Sequence, residues 1–364
     1  MEIFRKLVKA GVQKVVSGYT LPWKPFSHLI PISGSGKWVI GQEMREVASL
    51  ANHLGIKTGP PWVGVHGRKQ VVFVGSHFDL LLSDTWFNTD HRLATAYFHG
   101  KPGNGVFEFD KCFENLTKNH QSVDRIQVSC RGMQKVVLGT GIDPQKVHLI
   151  PIGINPKYFK KQTTNSKNVA RAFFNIPQDA FVVGSFQKDG NGWDEGLEPK
   201  MIKGPDVFIE SMRILKEKVG SVVVLLSGPA RGYVKNGLKK IGVPYIHHQM
   251  EKYSDVGGMY QALDVYVVSS REEGGPKAVL ESMASGIPLV TTRVGQAVDL
   301  VRHGENGFLA DNENTEELAV LAANVFSQRG SLQPMIDSGL KTASKNCYEA
   351  QLPLWKQFFS GFVG

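Results

Sequence analysis

Residues 264–288, DVYVVSSREEGGPKAVLESMASGIP, constrain the fold of this chain more than any other stretch. The apolar run Asp264–Val268 predicts a buried parallel strand, because such strands are apolar on both faces. A polar, glycine-rich turn follows, and Pro276 stands where a first helical residue is expected. A helix then continues to Ala284 and ends at Gly286. Strand, glycine turn and helix in this order predict an anion site, because the free N–H groups and the dipole of the helix point into the turn.

Two glutamates flank this predicted anion site. Glu273 lies in the turn, and Glu281 is expected about a turn and a half into the helix, roughly 8 Å from Pro276 at 1.5 Å per residue. Both would repel a phosphate that they faced directly. They fit a site in which they accept hydrogen bonds from sugar hydroxyls on either side of a diphosphate, which is the layout of a sugar nucleotide. The alternative is that these carboxylates simply complement the dipole of the helix.

The run Glu273–Glu281, EGGPKAVLE, resembles the E-x7-E signature of family 4 retaining glycosyltransferases (glycosyl transferases group 1), which have the GT-B fold. The resemblance implies two Rossmann-like, doubly wound α/β domains that face a central cleft, with a C-terminal helix that crosses back to the first domain. It also implies that Glu273 holds hydroxyls of the donor hexose and Glu281 holds those of the ribose. The residues between the two glutamates then belong to the donor-binding set: Gly274, Gly275, Pro276 and Lys277.

The phosphate-binding residues are also assigned through this resemblance. Lys203-Gly204 matches a K-G pair whose lysine clamps the diphosphate, so Lys203 is expected in the catalytic machinery. Ser185 stands where the family usually has a second cation, an arginine. Lys188, in the glycine-rich insertion that follows, is the candidate replacement, although a loop lysine is commonly just solvated.

Two features of the first half of the chain complete the predicted site. Gly34 and Gly36 follow a predicted strand and resemble the family's N-terminal glycine loop, which meets the donor phosphate and sugar; alternatively they form a tight turn. His99 ends a β-prone run, which places it at the carboxyl edge of a sheet, where ligands bind in open α/β folds. The family commonly has a His there near the donor hexose, and the alternative is a structural histidine.

A chain of 364 residues predicts two domains of ordinary size. We predict an acceptor-binding domain over residues 1–155, a donor-binding domain over 156–345 and a crossover helix over 346–364. Alternating strands and helices with short loops indicate a doubly wound parallel sheet. In addition, Leu80–Ser83 is predicted as a strand and Lys160–Asn168 as a linker.

Residues 2–17 have the period of a helix with one apolar and one basic face. Such an N-terminal helix, within the predicted segment 1–17, either lies in an anionic membrane interface or packs its apolar face on the protein. The formal charge of +9 fits nucleic acid, anionic lipid or phosphorylated small molecules as partners. No zinc finger, RNA-binding signature or long basic block is present, so nucleic acid ranks last.

Compartment and cofactors are predicted from what the sequence lacks. There is no apolar run long enough to span a bilayer and no cleavable signal, and three scattered cysteines fit a reducing compartment, so we expect a cytoplasmic protein, either free or peripheral on the cytoplasmic face of the membrane. No D-x-D motif sits at a strand end, so neither a metal nor any other resident cofactor is expected.

The sequence therefore predicts a retaining glycosyltransferase. It would move a hexose from a UDP- or GDP-linked sugar to a saccharide or lipid-linked acceptor in cell-envelope or exopolysaccharide synthesis. In such enzymes the departing phosphate is thought to take the acceptor proton, so no catalytic base is named, and Glu273 as a covalent nucleophile is a further alternative. Two other readings stay open: an enzyme like a nucleotide-sugar 2-epimerase, and a non-catalytic protein that binds sugar nucleotides.

Overall fold

The computed structural model describes residues 24–33, 39–83 and 85–364, which form two compact units. The first unit is the described part of Met1–Pro151 together with Gln351–Gly364, and the second is Ile152–Ala350. The sequence placed these boundaries at 155 and 346. The predicted helix within residues 1–17 and the glycines Gly34 and Gly36 lie outside the described residues.

The first unit contains a six-stranded parallel sheet in which the strand order is β2-β1-β3-β4-β5-β6. The order reverses between β1 and β3, and this reversal is the topological switch point of the sheet. The side chains of β3 are all buried, as expected for a strand covered on both faces. The strands are β1 His28–Ile32, β2 Lys57–Thr58, β3 Val71–Val74, β4 Arg92–Tyr97, β5 Arg125–Val128 and β6 Val147–Leu149.

Helices connect these parallel strands. Leu80–Ser83 does not form the predicted strand, because Leu80 and Leu81 lie in a short helix directly after β3. The sequence of a short apolar run does not distinguish a strand from a buried helical turn. Here tertiary packing favours the helical turn, in which Leu80 and Leu81 are buried. The described helices before Pro151 are α1 Val39–His53, α2 Pro61–His66, α3 His77–Leu81, α4 Phe107–Asn119 and α5 Arg131–Leu138.

The second unit contains another six-stranded parallel sheet, with the order β12-β11-β10-β7-β8-β9. Counted within this unit alone, the order is the 3-2-1-4-5-6 arrangement of dinucleotide-binding folds, and the switch point lies between β7 and β10. The strands are β7 Phe181–Ser185, β8 Val222–Leu226, β9 Tyr245–His247, β10 Val265–Val268, β11 Leu289–Thr292 and β12 Phe308–Ala310.

One helix of the second unit begins within the predicted linker Lys160–Asn168. A helix begins at Thr164, where Thr163 and Ser166 form a reciprocal capping box. The polar residues that suggested a linker are those that cap and begin this helix. The helices are α6 Thr164–Phe173, α7 Pro205–Val219, α8 Gly232–Lys240, α9 Val256–Tyr260, α10 Ala278–Ala284, α11 Gln296–Leu300, α12 Thr315–Ser327 and α13 Gln333–Lys345.

The last helix, α14 Leu352–Phe359, belongs to the first unit. Phe358 stacks on Phe73 of β3 with ring centroids 5.4 Å apart, and Trp355 lies 6.2 Å from the same ring. Arg92 of β4 donates to the carbonyl of Phe362 at 2.8 Å. The apolar density of the C-terminal segment therefore serves packing on the first sheet. This return of the chain, together with the two doubly wound sheets, confirms the predicted fold class.

None of the described helices is long and apolar enough to cross a membrane.

Candidate functional site

Two loops meet at the switch point of the second sheet. One follows β7 and the other follows β10. Gln187 joins them, since its Nε2 donates to the carbonyl of Lys203 at 3.0 Å and its Oε1 accepts from Ser270 at 3.3 Å. Gly204 allows the close approach: its φ is +61°, and a Cβ there would lie 1.9 Å from the Ser269 carbonyl oxygen. A larger residue would therefore displace Lys203 from the second loop.

Lys203 and Glu273 form an ion pair across these loops. Lys203 Nζ lies 2.5 Å from Glu273 Oε1, and Ser270 Oγ donates to the same oxygen at 3.1 Å. Both side chains are largely buried. The structure thus brings together two of the predicted residues, and it pairs their charges directly.

The loop between Glu273 and Lys277 is held by Gln296. The backbone N–H of Gln296 donates to the Gly274 carbonyl at 2.9 Å, and its side-chain oxygen accepts from the N–H of Ile152 at 2.9 Å. The helix after the loop begins at Ala278, not at Pro276 as predicted. Gly274, Gly275 and Pro276 therefore lie in the loop before this helix, and the Pro276 carbonyl accepts from the N–H of Val279 at 3.1 Å.

Glu281 consequently lies in the first turn of α10, which corrects its predicted position a turn and a half along. Its side chain is 6% exposed. Oε1 accepts from the Tyr253 hydroxyl at 2.5 Å and Oε2 accepts from the Tyr260 hydroxyl at 2.9 Å. Burial, and then the adjacent Glu281 charge, raise the pKa of Tyr260 well above its ordinary value. Sequence reasoning missed both tyrosines, because they are 28 and 21 residues away from Glu281 in the chain.

Lys277 is 8% exposed and lies among aromatic side chains. Its Nζ donates to the Tyr348 hydroxyl at 3.1 Å and lies 5.0 Å from the ring centroid of Tyr253. The ammonium is therefore adjacent to the tyrosine that holds Glu281, which places two predicted donor-binding residues around one phenol ring.

The position where an arginine was expected, Ser185, contacts an arginine from elsewhere in the unit. The guanidinium of Arg231 donates to the carbonyls of Ser185 and Gln187, each at 2.7 Å, and to the Ser185 hydroxyl at 3.1 Å. It also forms an ion pair with Asp189 at 3.0 Å. Arg231 is 1% exposed, so it fixes the end of β7 from within the fold. The small side chain at 185 leaves room for this guanidinium, which sequence reasoning did not identify.

The insertion after β7 forms a hairpin. Gly190 pairs with Pro199 in an antiparallel bridge, and the N–H of Asn191 donates to the Glu198 carbonyl at 2.9 Å. Lys188, just before the hairpin, places its Nζ 4.0 Å from the ring centroid of Trp193. Burial lowers the pKa of Lys188. The predicted replacement cation is therefore held over an aromatic ring and not simply solvated.

His99 lies in the first unit, two residues beyond β4. Its ring packs edge-on against Phe78 and Phe109, with centroids 5.2 and 5.7 Å away, and against His77 at 5.7 Å. His77 follows β3 and is 2% exposed; burial, and then the nearby His99, hold its pKa well below the usual range. Sequence reasoning missed His77, which neighbours His99 at the same edge of the first sheet.

Among the residues that the structure describes, no group of three or more His, Cys, Asp or Glu side chains could hold a metal ion.

Comparison with known proteins gives a partial match in sequence. Residues 197–342 match the family described as glycosyl transferases group 1. The lipopolysaccharide core biosynthesis mannosyltransferase LpsB of Rhizobium meliloti is 30% identical over 153 residues, which cover 40% of this chain and 44% of LpsB. The capsular polysaccharide biosynthesis glycosyltransferase CapM of Staphylococcus aureus is 22% identical over 66% of this chain and 61% of CapM. The chain thus spans about half the length of these curated relatives.

Solved structures show the same fold over nearly the whole chain. HepE of Anabaena, solved in complex with UDP-glucose, has a TM-score of 0.74 at 15% identity and covers 92% of this chain and 99% of its own. A glycosyltransferase from Rickettsia africae has a TM-score of 0.69 at 16% identity, with 93% and 99% covered. At these identities the likeness shows the fold alone.

Proposed function

We propose that the protein is a retaining hexosyltransferase that uses a nucleoside-diphosphate sugar, and the match of residues 197–342 to the family described as glycosyl transferases group 1 supports this proposal. The observation that carries this proposal is the ion pair of Lys203 and Glu273 at the switch point of the second sheet, together with Glu281, which is held by two tyrosines in the first turn of the helix that follows. Open α/β sheets bind nucleotides at this edge.

The two glutamates have distinct roles in the proposed complex. The described hydrogen bonds to Glu273 reach Oε1, so Oε2 is the atom that accepts from a hydroxyl of the donor hexose. The carboxylate of Glu281, held by the hydroxyls of Tyr253 and Tyr260, accepts from the ribose hydroxyls in this complex. Because Tyr253 and Tyr260 fix the carboxylate, its ordering is complete before the nucleotide binds.

Lys203 stabilises the leaving group in the proposed reaction. The bond between the sugar C1 and the diphosphate oxygen breaks, and negative charge grows on that oxygen. The acceptor oxygen forms its bond to C1 on the same face, and its proton passes to the departing phosphate. A lysine already positioned within 2.5 Å of Glu273 needs no large reorganisation to meet this charge.

Donor, acceptor and location are proposed from the relatives. HepE is solved with UDP and with UDP-glucose, and LpsB and CapM are named for lipopolysaccharide core and capsular polysaccharide biosynthesis. We propose a UDP- or GDP-linked donor and a saccharide or lipid-linked acceptor of the cell envelope or an exopolysaccharide; the complexes of HepE support UDP, and the names of LpsB and CapM support a cell-envelope glycan. We propose that the protein works at the cytoplasmic face of the membrane, which residues 1–17 would contact, and that transfer needs neither a metal nor another cofactor.

The test begins with a thermal-shift screen of UDP-, GDP- and ADP-sugars, followed by release of the matching diphosphate with saccharide acceptors. We expect stabilisation by one donor class and turnover that a metal chelator leaves unchanged. Glu273→Ala should abolish turnover while the protein stays folded, and Glu316→Ala, a change at an exposed glutamate of α12, should be silent. A wild-type protein that binds none of these donors would overturn the proposal.

The replacement of the expected arginine by Ser185 favours one other candidate, a non-catalytic protein that binds sugar nucleotides. In that case the donor screen succeeds, yet no acceptor yields released diphosphate. NMR of the bound donor would detect inversion at C2, which distinguishes an epimerase from both.

A further inference from the structure

Arg271, in the loop after β10, contacts the short turn that carries Lys203. Lys203 is the last residue of a 3-10 turn over residues 201–203, in the loop that follows β7. The Arg271 guanidinium donates to the Met201 carbonyl at 2.9 Å, and the backbone N–H of the same arginine donates to the Ile202 carbonyl at 2.9 Å. Side chain and main chain of one residue therefore hold the turn before Lys203 against the opposite loop.

The same guanidinium also holds the segment that follows Lys203. Its Nη1 and Nη2 donate to Asp206 Oδ1 and Oδ2, each at 2.7 Å. Asp206 lies in the first turn of α7, three residues after Lys203. Such a two-pronged pair fixes direction as well as distance, because both carboxylate oxygens are engaged in one plane. Arg271 thus contacts the chain on both sides of Lys203, at Met201 before it and at Asp206 after it.

A second carboxylate completes the surroundings of Arg271. Its Nε donates to Glu313 Oε1 at 2.7 Å, and its carbonyl accepts from the Asn312 side chain at 3.2 Å. Glu313 is exposed, so this ion pair by itself adds little to stability. It does decide the charge, because the single cation of Arg271 now faces two carboxylates. Arg271 is therefore compensated within the fold and is not left to bind an anion.

Asp206 is ionised in this arrangement. The hydrogen bonds from Arg271 hold the pKa of Asp206 below its ordinary value, although burial acts in the opposite direction. The dipole of α7 also favours a negative charge in its first turn. The contact between the two side chains is consequently a charged pair at neutral pH, and it keeps the geometry that both oxygens impose.

The pair of Lys203 and Glu273 depends on these contacts. Glu273 lies two residues after Arg271 in the same loop, and Lys203 Nζ lies 2.5 Å from Glu273 Oε1. Arg271 is thus tied to Glu273 through the chain and to Lys203 through the residues on either side of it. A displacement of about 1 Å in a positioned group can cost about 100-fold in rate. Loosening of the turn would therefore act directly on the ammonium.

We propose that Arg271 is a positioning residue of the reaction, which sets Lys203 against Glu273 and so places the ammonium where charge grows on the leaving diphosphate. The inference rests on the proposed function, because it names a residue that acts through Lys203. Arg271 does this without touching either substrate, since Asp206 and Glu313 already compensate its charge.

The experiment is a double-mutant cycle between Arg271 and Lys203 in the full chain. Calorimetric titration of UDP, GDP and ADP gives the affinities, and diphosphate release from the nucleotide sugar of the class that binds gives the turnover. Arg271→Met should lower turnover about 10- to 100-fold and weaken the bound diphosphate about tenfold. In a Lys203→Met background the same substitution should change the affinity by less than about threefold, because positioning acts only through the ammonium.

Two further variants separate positioning from a general loss of structure, with urea unfolding of each protein as the check on its fold. Arg293→Met removes an arginine that follows β11 and pairs with Asp311 at 2.9 Å. It should bind and react within about twofold of the wild type, since this pair is on the surface. Asp206→Asn keeps the shape of the side chain and removes the charge that orients the guanidinium. It should give a smaller loss than Arg271→Met and the same lack of additivity with Lys203→Met.

Two results would overturn the inference. One is additive losses from Arg271→Met and Lys203→Met, because additivity is the behaviour of independent sites. The other is a folded Arg271→Met protein that binds and reacts as the wild type does. If Arg271→Met does not fold, Asp206→Asn decides the question by the same two criteria.

Failure of the proposed function gives a different result. If the wild type binds none of UDP, GDP or ADP, then the donor site itself is wrong. If the wild type binds one of them and Arg271→Met is unaffected, the donor site stands and Arg271 has no part in positioning Lys203.

Discussion

The two sheets have the same architecture, but different side chains lie at the carboxyl ends of their strands. Both are six-stranded and parallel, and each reverses its strand order once, between β1 and β3 in the first unit and between β7 and β10 in the second. At the second switch point, lysines and carboxylates meet, as in the pair of Lys203 and Glu273. At the end of β3 in the first, His77 and His99 lie among phenyl rings. The topology specifies where ligands can bind, and the loops specify which ones.

The segments that follow β7 and β3 differ because different groups hold the ends of these two strands. In the second unit, buried Arg231 fixes the end of β7, so a long polar insertion can emerge from it in one conformation. In the first unit, helix α3 begins three residues after the last residue of β3 and covers its end. His77 is therefore enclosed, whereas Lys188 and Lys203 keep partial access to solvent.

The largest effect is expected from a substitution of Arg231, which fixes the end of β7 in the second sheet. Arg231→Met leaves Asp189 buried without its ion-pair partner, and breaking a buried pair in this way costs about 3–5 kcal/mol. The free energy of unfolding, measured with urea, should fall by this amount. The double variant with Asp189→Asn should recover part of the loss, because the uncompensated charge is gone. Equal stability of the single and double variants would contradict the role of the pair.

Removal of the Tyr260 hydroxyl should have the next largest effect. Tyr260→Phe takes a 2.9 Å hydrogen bond from the buried Glu281 carboxylate, and such bonds to charged groups contribute about 1.5–3 kcal/mol. We expect a matching loss in unfolding free energy and weaker binding of the nucleoside diphosphate. Tyr245→Phe, at a partly buried tyrosine of β9, is the control. Unchanged nucleotide affinity would argue against ordering of Glu281 by this contact.

The close approach of Gly204 to the Ser269 carbonyl gives a third test of the site at the end of β7 and β10. Gly204→Ala places a Cβ against the Ser269 carbonyl at a positive φ, which costs about 1–3 kcal/mol in strain. Lys203 should move away from Glu273, so turnover should fall more than stability. Gly192→Ala, also at positive φ but with open space around it, is the matched control. A loss of activity as large in the control would show that backbone strain alone is responsible.

The smallest change in stability near neutral pH is expected from His77 in the first unit. The pKa of His77 is lowered in the folded state, so the unfolded chain takes up the proton more readily. Stability is therefore fully present above pH ~6.5 and falls as the pH drops through that value, by at most ~1.4 kcal/mol per pH unit from this residue. Burial lowers the pKa of His148 to about 4, which adds to the same trend.

Urea unfolding at pH 7 and pH 5 checks this prediction. His77→Phe should make the loss of stability between the two pH values smaller, because the variant has no proton to take up there. His53→Gln, at an exposed position, should leave the pH dependence as it is in the wild type. The same slope in all three proteins would show that His77 does not contribute.

Much of the fold followed from local patterns. The strand predicted over Asp264–Val268 is observed as β10, Val265–Val268, because a buried parallel strand leaves a short apolar run between polar turns. The errors came where local patterns are ambiguous. The apolar run at Leu80 is too short to define its own period, and the polar start of α6 resembles a linker.

The site was predicted through its motif and missed where partners are distant in sequence. Lys203 and Glu273 were identified as residues of one site, and the structure pairs them. Tyr253, Tyr260 and Arg231 were not identified, because the residues next to them in the chain do not indicate which group each one contacts. A tyrosine that fixes a carboxylate 28 residues away gives no local signal.

The sequence by itself determined two doubly wound units and the order of strand, turn and helix from 264 to 288, since these depend on burial and backbone preferences that act locally. Tertiary structure alone decided that Glu281 lies in the first turn of α10, that it is held by two tyrosines, and that an arginine from another element fills the space beside Ser185. These are contacts between segments far apart in the chain. The interaction energy and the pKa of each charged group are set only when folding removes water from it and places its neighbours.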